Sequence, residues 1–138
     1  MWYKGKRIGL KGKLDRLFSE YIRRRDADYA GYCRCVTCGK MQHWKEMDAG
    51  HFVPRDRIAT RWDETNVHPQ CRECNRFRSG KQYEHGMAID RIHGPGTAAR
   101  LWAVGNARGA KITDVQMEEL IASVKSCIKM LDRFTFSQ

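Results

Sequence analysis

The amino-acid sequence predicts an α+β fold: a small metal-stapled core of short strands held between helices. Three observations carry that prediction. Two Cys-x-x-Cys pairs, Cys35/Cys38 and Cys71/Cys74, stand in mid-chain with 32 residues between them. Apolar residues recur at helical spacing toward both ends. The 138 residues carry 26 Lys and Arg against 16 Asp and Glu, and a net charge of +10 is the footprint of a polyanionic partner. That length suits one compact domain, or a small domain with a helical appendage. At 41% hydrophobic and 30% charged residues, the composition excludes wholesale disorder. The longest apolar run, residues 101–104, is far too short to span a bilayer. The basic opening residues lack the apolar stretch of a signal peptide. The expected location is therefore cytoplasmic, with nucleic acid as partner. An anionic membrane surface is the weaker alternative, because no long basic amphipathic helix with Trp and Leu on one face is present.

Residues 1–12 read as a basic arm. A helix is predicted over residues 14–27, where Leu14, Leu17, Phe18, Tyr21 and Ile22 share a face. Its end carries Arg23, Arg24 and Arg25. Past the first cysteine pair, residues 46–53 read as a short strand stopped by Pro54. Residues 55–65 form a polar, Arg-rich loop in which Trp62 either covers the core or stacks on an unpaired base. After the second pair and Ser79-Gly80, a helix is predicted over 82–92, broken by His93-Gly94-Pro95-Gly96, then a short one over 97–104. The last helix has the clearest start, because Thr113 and Gln116 spell a capping box. Val115, Met117, Leu120, Ile121, Val124, Cys127, Ile128 and Leu131 then mark one apolar face to about residue 133. That stripe either packs on the protein's own core or serves a homodimer. The division expected is a basic arm (1–12), a zinc-bound core with its leading helix (13–93) and a C-terminal helical extension (94–138).

Six cysteines in a chain without a signal peptide point to metal and away from disulfides. Each Cys-x-x-Cys turn offers two thiolates to one ion, and two such turns complete a tetrahedral structural Zn²⁺ site. Gly39 lets the first knuckle turn with positive φ. Cys33 is a competing thiol, although the Cys-x-x-Cys-Gly spacing favours Cys35 and Cys38. Cys127 reads as a core residue. A redox role fits less well, since no βαβ context surrounds either pair. The middle segment, residues 31–90, carries only +2 (ten basic, eight acidic). It is flanked by +5 over residues 1–30 and +3 over 91–138. A near-neutral chemical centre between basic flanks is an arrangement that grips a phosphate backbone.

Between the cysteine pairs, Gly50-His51-Phe52-Val53-Pro54 resembles the first half of an HNH (His-Me finger, ββα-metal) nuclease motif. Asn66-Val67-His68-Pro69-Gln70-Cys71, with Cys74-Asn75-Arg76-Phe77-Arg78, resembles the second half. More narrowly, KLDRLFSEYIRRRDA, CVTCGK, DAGHFVPR, ATRWDETNVHPQCRECNRF and SGKQYE together resemble the NinG (Rap) recombination proteins of lambdoid phages, over roughly residues 13–92. The resemblance implies a treble-clef-like ββα-metal core. It also implies a metal-dependent endonuclease acting on branched recombination intermediates (Holliday junctions, D-loops) in the bacterial cytoplasm. DNA, a second copy of the chain, and phage or host recombination proteins are the partners it implies. It further implies His51 as general base and Asn75 as metal ligand where many members have His. Asn66 would fix the loop bearing His51, and Arg78 would contact phosphate where many members have Lys.

The residues support such a site on their own terms. A ββα-metal centre needs a neutral imidazole at a strand end to take a proton from water. It also needs a ligand on the following helix to hold Mg²⁺ or Mn²⁺ against the phosphate. His51 suits the first role and Asn75 the second. Gly50 departs from the pattern, which usually places Asp or His there as a second ligand. Asp48 is the candidate replacement, although strand alternation puts it on the face opposite His51 unless a bulge at Gly50 brings it round. Arg23, Arg24, Arg25, Arg55, Arg72, Arg78 and Lys81 are the candidate DNA contacts. His68 stands at a variable position, and His43, His85 and His93 read as surface or helix residues. The rival function is a non-catalytic zinc-finger DNA-binding or recombination-adaptor module, which has no need of His51 and Asn75.

Overall fold

The computed structural model describes residues 2–4 and 6–136, with side chains for Lys4 and residues 8–134. Inside the predicted arm, β1 (Trp2–Tyr3) and β2 (Lys6–Arg7) make a minimal antiparallel ladder. Met1 and Gly5 of that arm lie outside the described residues. Helix α1 (Leu10–Arg25) begins before the predicted residue 14. The extended Gly9 lets the chain enter the helix early, its carbonyl accepting from Lys13 N at 3.0 Å. Three arginines in the last turn complement the helix dipole.

The centre holds more strand than its sequence advertised. β3 (Tyr32–Arg34) and β4 (Met41–His43) form a hairpin around the first cysteine pair. After a 3₁₀ turn over Trp44–Glu46, β5 (Met47–His51) pairs antiparallel with β6 (Val67–Cys71). The ladder runs residue for residue from Met47 opposite Cys71 to His51 opposite Val67, so there is no bulge at Gly50. The loop predicted over 55–65 contains a one-turn helix, α2 (Ile58–Arg61). The helix expected to open at Asn75 is instead a π-helical turn, Glu73–Phe77, closed by Arg78 N on the Glu73 carbonyl at 3.0 Å. The next true helix, α3 (Gln82–His93), starts only after Lys81 takes a left-handed conformation with φ 45°.

Helices α4 (Thr97–Gly105) and α5 (Asp114–Phe136) follow as expected, and the capping box forms in both directions. Thr113 N donates to Gln116 Oε1 at 2.9 Å, and Gln116 N donates to Thr113 Oγ1 at 3.1 Å. The stripe on α5 packs on its own chain. Met117, Ile121 and Val124 are buried with Leu14, Phe18 and Ile22 of α1 and with Val67 of β6. Each such side chain contributes about 1.5–3 kcal/mol by leaving water. Val115 belongs to that predicted face but stands 63% exposed, two residues before Met117 and so turned about 200° from it. A second core gathers the cysteines around Met47. A third, Val53, Ile89 and Leu101, ties α3 and α4 to the chain after β5. Gly105 permits that closure, since a Cβ there would lie 2.5 Å from Val53 Cγ1. No helix among the described residues is long and apolar enough to cross a membrane.

Candidate functional site

At one end of the β5–β6 ladder, the two knuckles bring their thiols together. Gly39, at φ 80°, lets its N–H return to the Cys35 carbonyl at 2.9 Å and so closes the first knuckle. Cys71 ends β6, and the Cys74 N–H points at its sulfur at 3.5 Å. The Sγ atoms of Cys35, Cys38, Cys71 and Cys74 all lie within 4.8 Å of one another. The Cys38–Cys71 separation is 3.7 Å, close to the ~3.8 Å edge of a tetrahedron with ~2.3 Å Zn–S bonds. The donor set fits a zinc ion. Cys33 is buried beside the cluster and outside it. Burial pushes its thiol up to about 11, which disfavours a thiolate. Burial also pushes Cys35 up, but hydrogen bonds from the Thr37 hydroxyl and neighbouring backbone outweigh it and bring that thiol down to about 6. Burial raises Cys38 and Cys71 as well, so it is position that separates Cys33 from the four ligands.

Along β5, from the thiol end to His51, runs a cavity of about 690 Å³ bordered by Asp48, His51 and Asn75. With no bulge, Asp48 and His51 stay on alternate sides of β5, yet both reach the cavity. Asn75 Nδ2 donates to Asp48 Oδ2 at 3.0 Å, so the two candidate oxygen ligands are in contact. Arg76 closes on the same carboxylate from the other side, at 2.8 and 2.9 Å. Gly50 has a steric cause. A Cβ there would meet Gln70 Oε1 at 2.3 Å, and Gln70 is buried and held by Gly80 and Thr37. A ligand directly before His51 has no room.

His51 is oriented by a backbone carbonyl. Its Nε2 lies 2.9 Å from Arg61 O, which assigns the ring proton to Nε2 and leaves Nδ1 unprotonated. Burial lowers the imidazole below its ordinary value, so the neutral ring prevails near pH 7. The accepting loop is itself pinned twice. Asp15 of α1 takes the Arg61 guanidinium and the Trp62 indole N–H, the latter at 3.0 Å. Trp62 thereby covers the α1–α5 core, the first of its two expected uses. Buried Asn66 accepts from Val53 N at 2.8 Å and donates to the Val53 and Thr60 carbonyls at 3.1 and 3.0 Å. One carboxamide thus ties the segment just after the histidine to the loop whose carbonyl holds its ring.

The candidate DNA contacts divide. Arg23, Arg55 and Arg72 border the cavity, together with Lys45 and Arg76, which the sequence reading passed over. Arg55 is exposed and Arg72 reaches Glu46 and Asp48 at 3.5 and 4.0 Å. Arg78 and Lys81 lie outside the cavity lining, Arg78 facing Glu73 at 3.4 Å. Arg25 is held within the fold. Its guanidinium is committed to Asp26 and to the Glu64 and Val67 carbonyls, latching α1 to the central strands. Arg24 is likewise engaged by Glu20 and by Asp132 of α5.

The family profile described as Bacteriophage Lambda NinG protein matches residues 4–134. The chain belongs to the NinG family. It is 38% identical over 76 residues to Protein ninG of Salmonella phage P22, covering 52% of this chain and 34% of that relative. To Protein ninG of Escherichia phage 933W it is 32% identical over 103 residues, covering 66% and 47%. To that of Escherichia phage lambda it is 38% identical over 63 residues, covering 44% and 28%. The matched region spans less than half the length of these NinG relatives. No solved structure matches.

This NinG chain also holds a row of imidazoles: His85 and His93, expected on a surface or helix, lie on α3, and His68 lies on β6. His85 is fully buried on α3, on the same face as Ala88 and Ile89. Its Nε2 lies 3.0 Å from Nδ1 of the buried His68, whose Nε2 lies 2.9 Å from Nε2 of His93. Burial pushes His68 down to about 3 and His85 down to about 4. His85 was recognisable: with Ala88 and Ile89 it completes an i, i+3, i+4 set on one helix face. Arg76 and Asp15 carried no comparable signal.

Proposed function

We propose that this chain is the catalytic core of a metal-dependent, HNH-type endodeoxyribonuclease acting on branched recombination intermediates such as Holliday junctions and D-loops. One observation supports this reading above the others: an imidazole tied through Nε2 to a carbonyl shares a basic cavity with the Asp48–Asn75 pair. In the proposed reaction, His51 Nδ1 accepts a proton from water as the water oxygen bonds to phosphorus. The P–O3′ bond breaks, leaving a 5′-phosphate and a 3′ oxygen that takes a proton from solvent. Mg²⁺ or Mn²⁺, when bound, would neutralise charge on the phosphate and the leaving oxygen. Asp48 would hold it through a carboxylate oxygen and Asn75 through Oδ1, which exchanges place with Nδ2 when the carboxamide turns over. Arg76, released from Asp48, becomes a charged fork for a phosphate. Arg55 and Arg72 position the backbone.

Branched DNA follows from what such a cavity lacks. Arginine contacts to phosphates position a duplex without identifying its bases. Selectivity then rests on shape, and basic segments on both sides of the centre suit arms diverging from a junction. Paired cuts at a junction call for a homodimer, or for phage or host recombination partners. The apolar stripe of α5 is committed to α1, so a dimer would use another surface.

The rival reading, a non-catalytic zinc-finger DNA-binding or adaptor module, is favoured by one observation: both Asp48 oxygens already accept from Arg76, and one also from Asn75. Cleavage of linear duplex, fork and four-way DNA, at one salt concentration with Mg²⁺ or Mn²⁺, separates the two. His51→Ala is expected to slow cutting by about 10²–10⁴-fold while zinc content and DNA affinity persist. Cutting by that variant at the wild-type rate removes the base assignment. Binding without cutting by wild type in either ion leaves the module.

A further inference from the structure

Beside the candidate catalytic cavity lies a second cleft, of about 460 Å³, that the proposed reaction does not use. Its walls come from three places in the chain: the turn after α1, the turn after β4 and the end of α5. The first turn is rigid. Asp28 Oδ1 accepts from both Ala30 N and Tyr32 N at 2.9 Å, and Gly31 N returns to the Asp28 carbonyl at 2.9 Å. Gly31, at φ 90°, lies so close to the His43 ring that a Cβ would sit 2.4 Å from Nε2. This fixed turn presents Tyr29 with 78% of its surface exposed. Among the described residues Tyr29 has no hydrogen bond, ion pair or ring partner. A rigid scaffold holding out an unpartnered aromatic ring calls for an occupant.

The cleft's chemistry selects that occupant. His43 stacks on Trp44, with ring centroids 5.8 Å apart, so the second wall is also aromatic. Arg24 and Lys45 stand over the Trp44 ring at 5.7 and 5.8 Å from its centroid. Asp28 is committed to its own turn and Asp132 to Arg24, so the carboxylates nearby are already engaged. Lys45 borders both this cleft and the catalytic cavity. Arg23, which borders the cavity, donates to the Trp44 carbonyl at 3.1 Å. Flat apolar walls take a base, the exposed Lys45 takes a neighbouring phosphate, and the path continues to the reacting centre. The volume falls within the ~300–1,000 Å³ typical of pockets for small organic groups.

We infer that this cleft captures an unpaired nucleobase from a single-stranded DNA segment leaving a branch point, stacking it on Tyr29. The inference rests on the reading of the protein as one that acts on branched DNA, and it supplies the feature that tells a branch from a duplex. It is tested by binding alone. The zinc-loaded full chain, without added Mg²⁺ or Mn²⁺, is titrated with a single-stranded oligothymidylate and with a duplex of equal length. Tyr29→Ala is expected to weaken the single strand roughly tenfold, the effect of losing one stacked base, and the duplex less than twofold. Tyr29→Phe retains the ring and is expected to bind as wild type does. Tyr29 is exposed, so both variants should melt with the parent. Equal weakening of single strand and duplex overturns the inference, as does no change in either. Single-stranded RNA binding tenfold tighter than DNA overturns it by reassigning the occupant. None of these outcomes depends on whether the protein cuts, so a failed nuclease assay and a failed stacking assay are read separately.

Discussion

The two ends of the β5–β6 ladder are built oppositely. At the Met47–Cys71 end, Met47, Cys71 and Cys74 are almost wholly buried, and the thiols converge because each pair is set by a turn a few residues long. At the His51–Val67 end, the candidate base borders a cavity that runs the length of β5, and its orientation comes from afar. His51 leans on a carbonyl ten residues on, that carbonyl's residue is held by Asp15 of α1, and Asn66 closes the loop from behind. The first end makes the fold by bringing donors together. The second keeps polar groups half-solvated and depends on the first for its shape. Changes at the thiol end should therefore appear as loss of structure, and changes at the cavity as loss of function on an intact fold.

The largest expected effect breaks the thiol end. In so small a core, zinc binding free energy is folding free energy, on the order of 10 kcal/mol or more. Cys74→Ser, or zinc removal by a chelator, is expected to unfold β3 to β6 while α1 and α5 keep part of their helicity. Metal analysis of the purified protein together with circular dichroism checks this. A folded, metal-free protein with four free thiols would refute it. Cys33→Ser is the matched control, and it should leave zinc content unchanged.

The second effect joins the two ends. Asn66→Ala leaves Val53 N and the Val53 and Thr60 carbonyls without partners in a buried place. Lost hydrogen bonds of this kind cost about 1–3 kcal/mol each, so about 4 kcal/mol of stability is expected to go. Activity should fall further than the unfolded fraction explains, because the carbonyl that orients His51 is on the freed loop. Equal losses of activity and of folded protein would make Asn66 purely structural.

What the sequence disclosed follows the range of the interactions. The four thiols were legible because their chemistry is written in spacings of three residues, and α5 because Thr113 and Gln116 sit one turn apart. His51, Asn66 and Asn75 were legible as a pattern, and the structure places His51 and Asn75 on one cavity with Asn66 holding the loop beside them. The short strands β3, β4 and β6 were not, since three to five residues with His, Pro and Gln among them carry no clean alternation. Arg76 on Asp48 and Asp15 on Arg61 join residues 28 and 46 apart, which no local rule connects. The partners of Arg25 were hidden for the same reason. A run of three arginines looks like a phosphate grip until the tertiary structure supplies carbonyls for one of them.

The smallest expected effect sharpens the comparison, because it concerns polar groups behind the ladder that are sealed from solvent, unlike those in the cavity. His68 and His85 are held neutral in the folded chain, with values near 3 and 4 against an ordinary 6.5. Between those values the unfolded chain binds protons that the folded chain refuses. Stability therefore rises with pH in this window and is lost as pH falls below about 6.5. From pH 7 to pH 5 each histidine is expected to remove about 2 kcal/mol, read from urea melts at matched ionic strength. His51, lowered in the same direction by burial, adds a loss of the same sign. His85→Gln keeps a polar partner near His68 and removes one titration, so the pH 7 to 5 difference should shrink by about 2 kcal/mol. An unchanged difference would mean that His85 takes up its proton without unfolding the chain.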